Sequence, residues 1–155
     1  MKVKDIMSKD VVTISKFDSI KTAAKKMDEY DIGMLVVVND NNEVLGVLTD
    51  RDIVVRYIVK NIEDGIVDDA MTHHYIGIPK DEDIKKAIEM MGEYQLKRLV
   101  ITNQENKPIG VLSLSDVARA RYTNKFVNET LYEISIPNPQ KEKPLKYLRV
   151  DDFPL

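Results

Sequence analysis

A shift of 64 positions lays residues 3–52 over residues 67–116 without a gap, and 19 of the 50 aligned pairs are identical. They include Asp5/Asp69, Met7/Met71, Ala23/Ala87, Asn39/Asn103, Asn42/Asn106, Gly46/Gly110 and Asp52/Asp116. A chain written twice must build the same unit twice. Two copies, each longer than a typical solenoid repeat, favour a pseudo-twofold pair over an open array. One copy is also too small to cover both faces of its own sheet, so the copies are expected to pack on each other.

The two copies share one punctuation. "VVTI" (11–14) and "YIGI" (75–78) are short β-leaning segments. Asp18 or Ser19 then caps a helix whose Ile20, Ala23, Ala24 and Met27 fall on one face. Asp81 stands in the same relation to Ile84, Ala87, Ile88 and Met91. "MLVVV" (34–38) and "EVLGVL" (43–48) flank the polar turn "NDNN", and "RLVIT" (98–102) and "KPIGVL" (107–112) flank "NQEN", so each copy carries a hairpin. A second helix follows from about residues 50 and 115. The order per copy is β-α-β-β-α. The expected fold class is α/β (α+β), with repeats at 1–62 and 63–122 and a C-terminal helix extension and tail at 123–155.

Each hairpin runs into the same motif, "GVLTDRD" at 46–52 and "GVLSLSD" at 110–116. Thr49 with Asp52, and Ser113 with Asp116, have the spacing of a capping box, in which a hydroxyl and an acid satisfy orphan helix amides. The same geometry serves a ligand. Free N–H groups at a helix start suit an electron-rich group, and a carboxylate one turn on can accept from two vicinal hydroxyls such as those of a ribose. Gly46 and Gly110 would let the chain bend or approach closely where strand meets helix. The cap and the nucleoside readings are compatible.

The doubled "G-V-L-T/S-x-x-D", each copy opened by "D-I-M" or "D-A-M", resembles a pair of cystathionine-β-synthase (CBS) domains, often called a Bateman module. The resemblance spans about residues 3–121. "KRLVITN…GVLSLSD" at 97–116 is similar to a stretch in the γ subunit of AMP-activated protein kinase. The resemblance implies a regulatory module that binds AMP, ADP or ATP, with S-adenosylmethionine and NADH as further candidates, in two clefts between the repeats. It puts Asp52 and Asp116 on ribose hydroxyls, with Thr49 and Ser113 near ribose or phosphate. It completes the Asp116 cleft with Val12, Ile32, Gly33 and Met34, and the Asp52 cleft with Ile76, Leu96, Lys97 and Arg98. Lys97 and Arg98 match paired basic positions that face phosphates, and Arg51 is a third phosphate candidate. The first copy has Gly33 and Met34 in place of that basic pair, so the two clefts should differ. A homodimer of side-by-side modules is also implied. The chain departs from the family in having Val36 and Val100 where a proline is usual, and in replacing Thr13 by Gly77.

Other chemistry finds little footing. Without cysteine, disulfides and thiolate chemistry are excluded. A net charge of −3 argues against a whole-surface grip on nucleic acid. The absence of an apolar run of about 18 residues argues against a membrane span, and a start without a signal-peptide core makes cytoplasmic residence the expectation. His73-His74 are adjacent, which rarely aims two imidazoles at one metal. No nucleophile elbow, Walker loop or poised base accompanies Thr49 or Ser113, so the expectation is a binding module rather than an enzyme. A ligand-free assembly protein and an enzyme with an unrecognised phosphate-directed activity are the alternatives. Beyond the repeats, 116–135 extends a helical pattern with Tyr122, Phe126, Leu131 and Ile134 roughly on one side. "IPNPQKEKP" then breaks it, and "LKYLRVDDFPL" regains apolar residues.

Overall fold

The computed structural model describes residues 1–120 and 125–135. Its elements, in order, are β1 (Thr13–Ser15), α1 (Ile20–Tyr30), β2 (Met34–Val38), β3 (Val44–Thr49), α2 (Asp50–Asp52), α3 (Val67–Ala70), β4 (Gly77–Ile78), α4 (Ile84–Glu93), β5 (Arg98–Thr102), β6 (Pro108–Ser113), α5 (Leu114–Arg119) and α6 (Lys125–Ser135). The architecture is mixed α+β. One three-stranded sheet has the order β1-β2-β3 and the other β4-β5-β6. In both, the first strand runs parallel to the second and the second antiparallel to the third.

The duplicated asparagines explain the matched hairpins. Asn39 Oδ1 accepts from Asn41 N at 3.0 Å and Glu43 N at 2.9 Å, and Asn103 Oδ1 accepts from Glu105 N and Lys107 N at the same distances. Asn42 and Asn106 take the left-handed conformation, at φ 60° and 59°, which asparagine tolerates better than most residues. Both hairpins carry a register shift at the same place, between Val37/Val38 and between Ile101/Thr102.

Helix α1 starts at Ser19, whose hydroxyl accepts from Thr22 N at 3.0 Å. It buries Ile20, Ala23 and Met27, while Ala24, expected on the same face, is exposed. Helix α4 buries Ile84, Ala87, Ile88 and Met91 as the spacing requires, and Met90 as well. Its cap is Asp83, which accepts from Lys85 N at 2.9 Å. Asp81 instead holds the Lys4 ammonium at 2.6 Å. That bond lowers the Asp81 pKa and raises that of Lys4.

The second helices differ between the copies. Asp50–Asp52 continues into a π-helical segment, Ile53–Ile58, in which Val59 N donates to Val54 O five residues back at 3.0 Å. Leu114–Arg119 in the second copy stays α-helical.

Packing divides the chain into two units. One is Val11–Tyr75, and the other joins Met1–Asp10 to the described residues from Ile76 onward. Copies are counted along the sequence and units by packing. The opening segment, "D-x-M-S/T", of each copy therefore packs on the hairpin of the other. Ser8 pairs with Val111, exchanging N–H···O bonds of 2.9 Å both ways, and Thr72 pairs with Val47 at 2.8 and 3.0 Å. This exchange accounts for the paired glycines. Gly46 and Gly110 lie inside β3 and β6 and neither has positive φ. The close approach they permit is to the incoming Met-Ser or Met-Thr, not to the strand-to-helix junction that the sequence suggested. A Cβ on Gly46 would stand 2.1 Å from Thr72 O, and one on Gly110 would stand 2.7 Å from Met7 Sδ and 3.0 Å from Ser8 O.

Helix α6 lies against the second unit's core through Val127 and Ile134, with Thr130 buried. Leu131, expected on that face, is exposed. The helical pattern read through Tyr122, and the tail from residue 136, lie outside the described residues.

Candidate functional site

In each unit, strand pairing and a tight turn gather the residues singled out from the sequence. In Val11–Tyr75, the antiparallel register sets Met34 opposite Thr49. Asp50 N donates to Gly33 O at 3.1 Å, which joins the start of β2 to the start of α2. Val12 O accepts from Val36 N at 3.1 Å, and Ile32 packs on the unit's core. Val12, Ile32, Gly33, Met34, Thr49, Arg51 and Asp52 therefore belong to one neighbourhood of backbone. The other unit repeats the arrangement. Arg98 is opposite Ser113, and Leu114 N donates to Lys97 O at 3.1 Å. Leu96 packs on the core, and Ile76 is buried just before β4. Lys97, Arg98 and Arg51 are exposed.

Both motif aspartates close capping boxes. Asp52 N donates to Thr49 Oγ1 at 3.2 Å and Thr49 N donates to Asp52 Oδ2 at 3.0 Å. Asp116 N donates to Ser113 Oγ at 3.1 Å, and Asp116 Oδ2 accepts from both Ser113 N at 2.8 Å and Ser113 Oγ at 2.6 Å. One carboxylate oxygen of each pair thus holds the strand-to-helix turn.

The other oxygen of each faces an arginine that the motif did not reveal. Arg56 Nε lies 3.8 Å from Asp52 Oδ1, and Arg119 Nη2 is bonded to Asp116 Oδ1. Arg56 also donates from Nη1 to Met71 O at 2.9 Å and to Thr72 Oγ1 at 3.3 Å. Thr72 Oγ1 itself stands 3.5 Å from Asp52 Oδ2. Spacing could have found the arginines, which sit four and three residues past their acids on a helix. Thr72 was visible only as the partner of Ser8 in the copy alignment. The carboxylates are 12% and 10% exposed, while the Arg56 and Arg119 side chains are 43% and 74% exposed. The acids are thus largely buried, while the cations beside them reach solvent. An ionised carboxylate has about four lone-pair sites, so Oδ1 can exchange its arginine for other donors while Oδ2 keeps the cap.

Among the described residues no group of three or more His, Asp or Glu side chains is disposed to hold a metal. No helix among them is long and apolar enough to cross a membrane.

The geometry and the duplication define a tandem repeat of one domain type, and comparison with known proteins agrees. The model of the CBS domain family matches twice, over residues 3–58 and 67–123. The chain belongs to the CBS domain family. It is 31% identical over 143 residues to the uncharacterized protein YlbB of Bacillus subtilis (strain 168), an alignment covering 91% of this chain and 96% of that one. Its fold superposes on a conserved CBS domain protein of unknown function from Thermoplasma acidophilum with a TM-score of 0.75, at 25% identity, covering 86% of this chain and 75% of the other. It superposes on the CBS domain pair of protein MJ0100, solved with 5′-methylthioadenosine and S-adenosyl-L-methionine, with a TM-score of 0.72 and 25% identity, covering 77% and 94%.

Proposed function

We propose that this CBS pair is a regulatory module that binds an adenosine derivative and acts by shifting conformation rather than by catalysis. In this reading Asp52 and Asp116 take the ribose hydroxyls on their Oδ1 oxygens, with Thr49 and Ser113 beside them. Lys97 and Arg98, with Arg51 as a third cation, meet phosphate, and Val12, Ile32, Gly33, Met34, Ile76 and Leu96 flank the base. AMP, ADP and ATP are the first candidates, and S-adenosylmethionine and NADH the next. What carries the reading is the same hydroxyl–acid pair at the same strand-to-helix turn in both copies, each acid keeping an oxygen, Oδ1, that faces a solvent-reaching arginine. The adenosine compounds bound to the MJ0100 pair support the ligand class.

A ligand can shift a two-state protein only by its affinity ratio for the two states. A thermal-shift series with the five compounds tests the binding step. At about a hundred times its dissociation constant, the cognate ligand should stabilise the fold by about 2.7 kcal/mol. No shift with any of them would contradict the reading.

We also propose that the protein is a homodimer. Val54, Val55, Ile58 and Val59 form an exposed apolar face on and just past the π-helical segment, a surface suited to a second copy. Light scattering should return twice the chain mass, and a monomer mass would overturn the proposal.

A further inference from the structure

The N-terminal segment builds a depression that no ribose or base reading uses. Val3 N donates to Glu82 O at 3.0 Å, Lys4 N donates to Lys80 O at 2.9 Å, and Ser8 bridges to Val111. This strap brings Lys4, Lys9 and Lys80 around a cavity of about 510 Å³, with Met7 and Ile109 as its apolar wall and Asp5 as its one lining carboxylate. Lys4 is held by Asp81, and Asp5 Oδ2 accepts from Lys2 N at 2.7 Å. Asp81 also feels the charge of Lys80, and no ion pair is seen for Lys9 among the described residues. The lining itself carries three cations and one carboxylate, with Asp81 just beside it.

The other unit supplies an internal comparison. Val67 N donates to Asp18 O at 2.8 Å and Asp68 N donates to Lys16 O at 2.9 Å, the same strap on the same edge. At the matching positions Asp68 replaces Lys4, His73 replaces Lys9, Lys16 replaces Lys80, and Leu45 replaces Ile109. His73 is drawn toward Asp68, at 3.8 Å. One scaffold thus carries a cationic lining in one unit only.

We infer that the Lys4–Lys9–Lys80 depression is a second ligand site, for a small organic anion of the phosphate-ester class with an apolar body. With Asp81 counted, the three lysines still exceed the neighbouring carboxylates by one positive charge, and Lys ammonium groups serve phosphate as point charges. Met7 and Ile109 give the apolar body a surface. The volume lies in the range of small-molecule sites.

Phenyl phosphate is the probe. With methyl-labelled protein, its titration should move the Met7 and Ile109 methyl resonances saturably and leave those of Met71 and Leu45 in place. Lys9→Gln/Lys80→Gln, both at exposed positions, should weaken that response about tenfold or more. The Asp52→Ala/Asp116→Ala protein should respond as the unaltered chain does, which separates this site from the adenosine reading. No saturable shift, equal shifts at Met7 and Met71, or a response unchanged by Lys9→Gln/Lys80→Gln would overturn the inference.

Discussion

Gly46→Ala should lower stability by about 3 kcal/mol, read as a lower urea midpoint. The added Cβ would meet Thr72 O at 2.1 Å and Met71 Cε at 2.7 Å. The methionine terminus can turn away, but the carbonyl belongs to backbone already fixed by two bonds to Val47. Relief therefore requires separating Thr72 from β3, which forfeits both bonds, each worth about 1 kcal/mol net, and loosens Met71 from the core. Gly110→Ala is the matched control. Its Cβ would meet the flexible Met7 Sδ at 2.7 Å and Ser8 O only at 3.0 Å, so its cost should be smaller, about 1 kcal/mol. Equal costs at the two positions would mean that the exchanged segments do not fix the backbone as described.

Asp52→Ala/Asp116→Ala should weaken adenosine-ligand binding tenfold or more at each site. Hydrogen bonds to a charged acceptor contribute about 1.5–3 kcal/mol, and every 1.4 kcal/mol is a factor of ten. The substitution also removes the bonds to Thr49 N and Ser113 N, so about 1 kcal/mol of stability should go with each cap. The two effects separate with Asp→Asn at both positions. Asparagine keeps one acceptor for the turn amide and loses the charge, so most of the stability should return while binding stays weak. Titration calorimetry gives the binding and urea unfolding the stability. Full-strength binding by the alanine protein would leave the two acids with capping alone.

Much of this was legible in the residues because it is local. Asn39 and Asn42 fix a hairpin within five residues, Ile20, Ala23 and Met27 mark one helix face, and the hydroxyl–acid spacing announces its own turn. Each such feature, seen twice 64 positions apart, was confirmed by its copy. What escaped was set by distance along the chain. The reason for Gly46 lies at Thr72, and the reason for Gly110 at Met7 and Ser8, contacts that no periodicity encodes. Asp81 precedes a helix as a cap would, yet Lys4, far away in sequence, claims it and Asp83 does the capping. Leu131 fits the apolar spacing of α6, but the face that packs is Val127, Thr130 and Ile134. Arg56 and Arg119 follow from helical spacing, but the motif itself ends at the aspartate.

The most direct measurement is a crystal structure of the protein with the compound giving the largest thermal shift. The account predicts the ribose hydroxyls within hydrogen-bond distance, about 3 Å, of Asp52 or Asp116 Oδ1, with Oδ2 still on the turn amide and the neighbouring arginine displaced. A well-ordered adenosine compound bound elsewhere, with Arg56 and Arg119 still on both carboxylates, would contradict it.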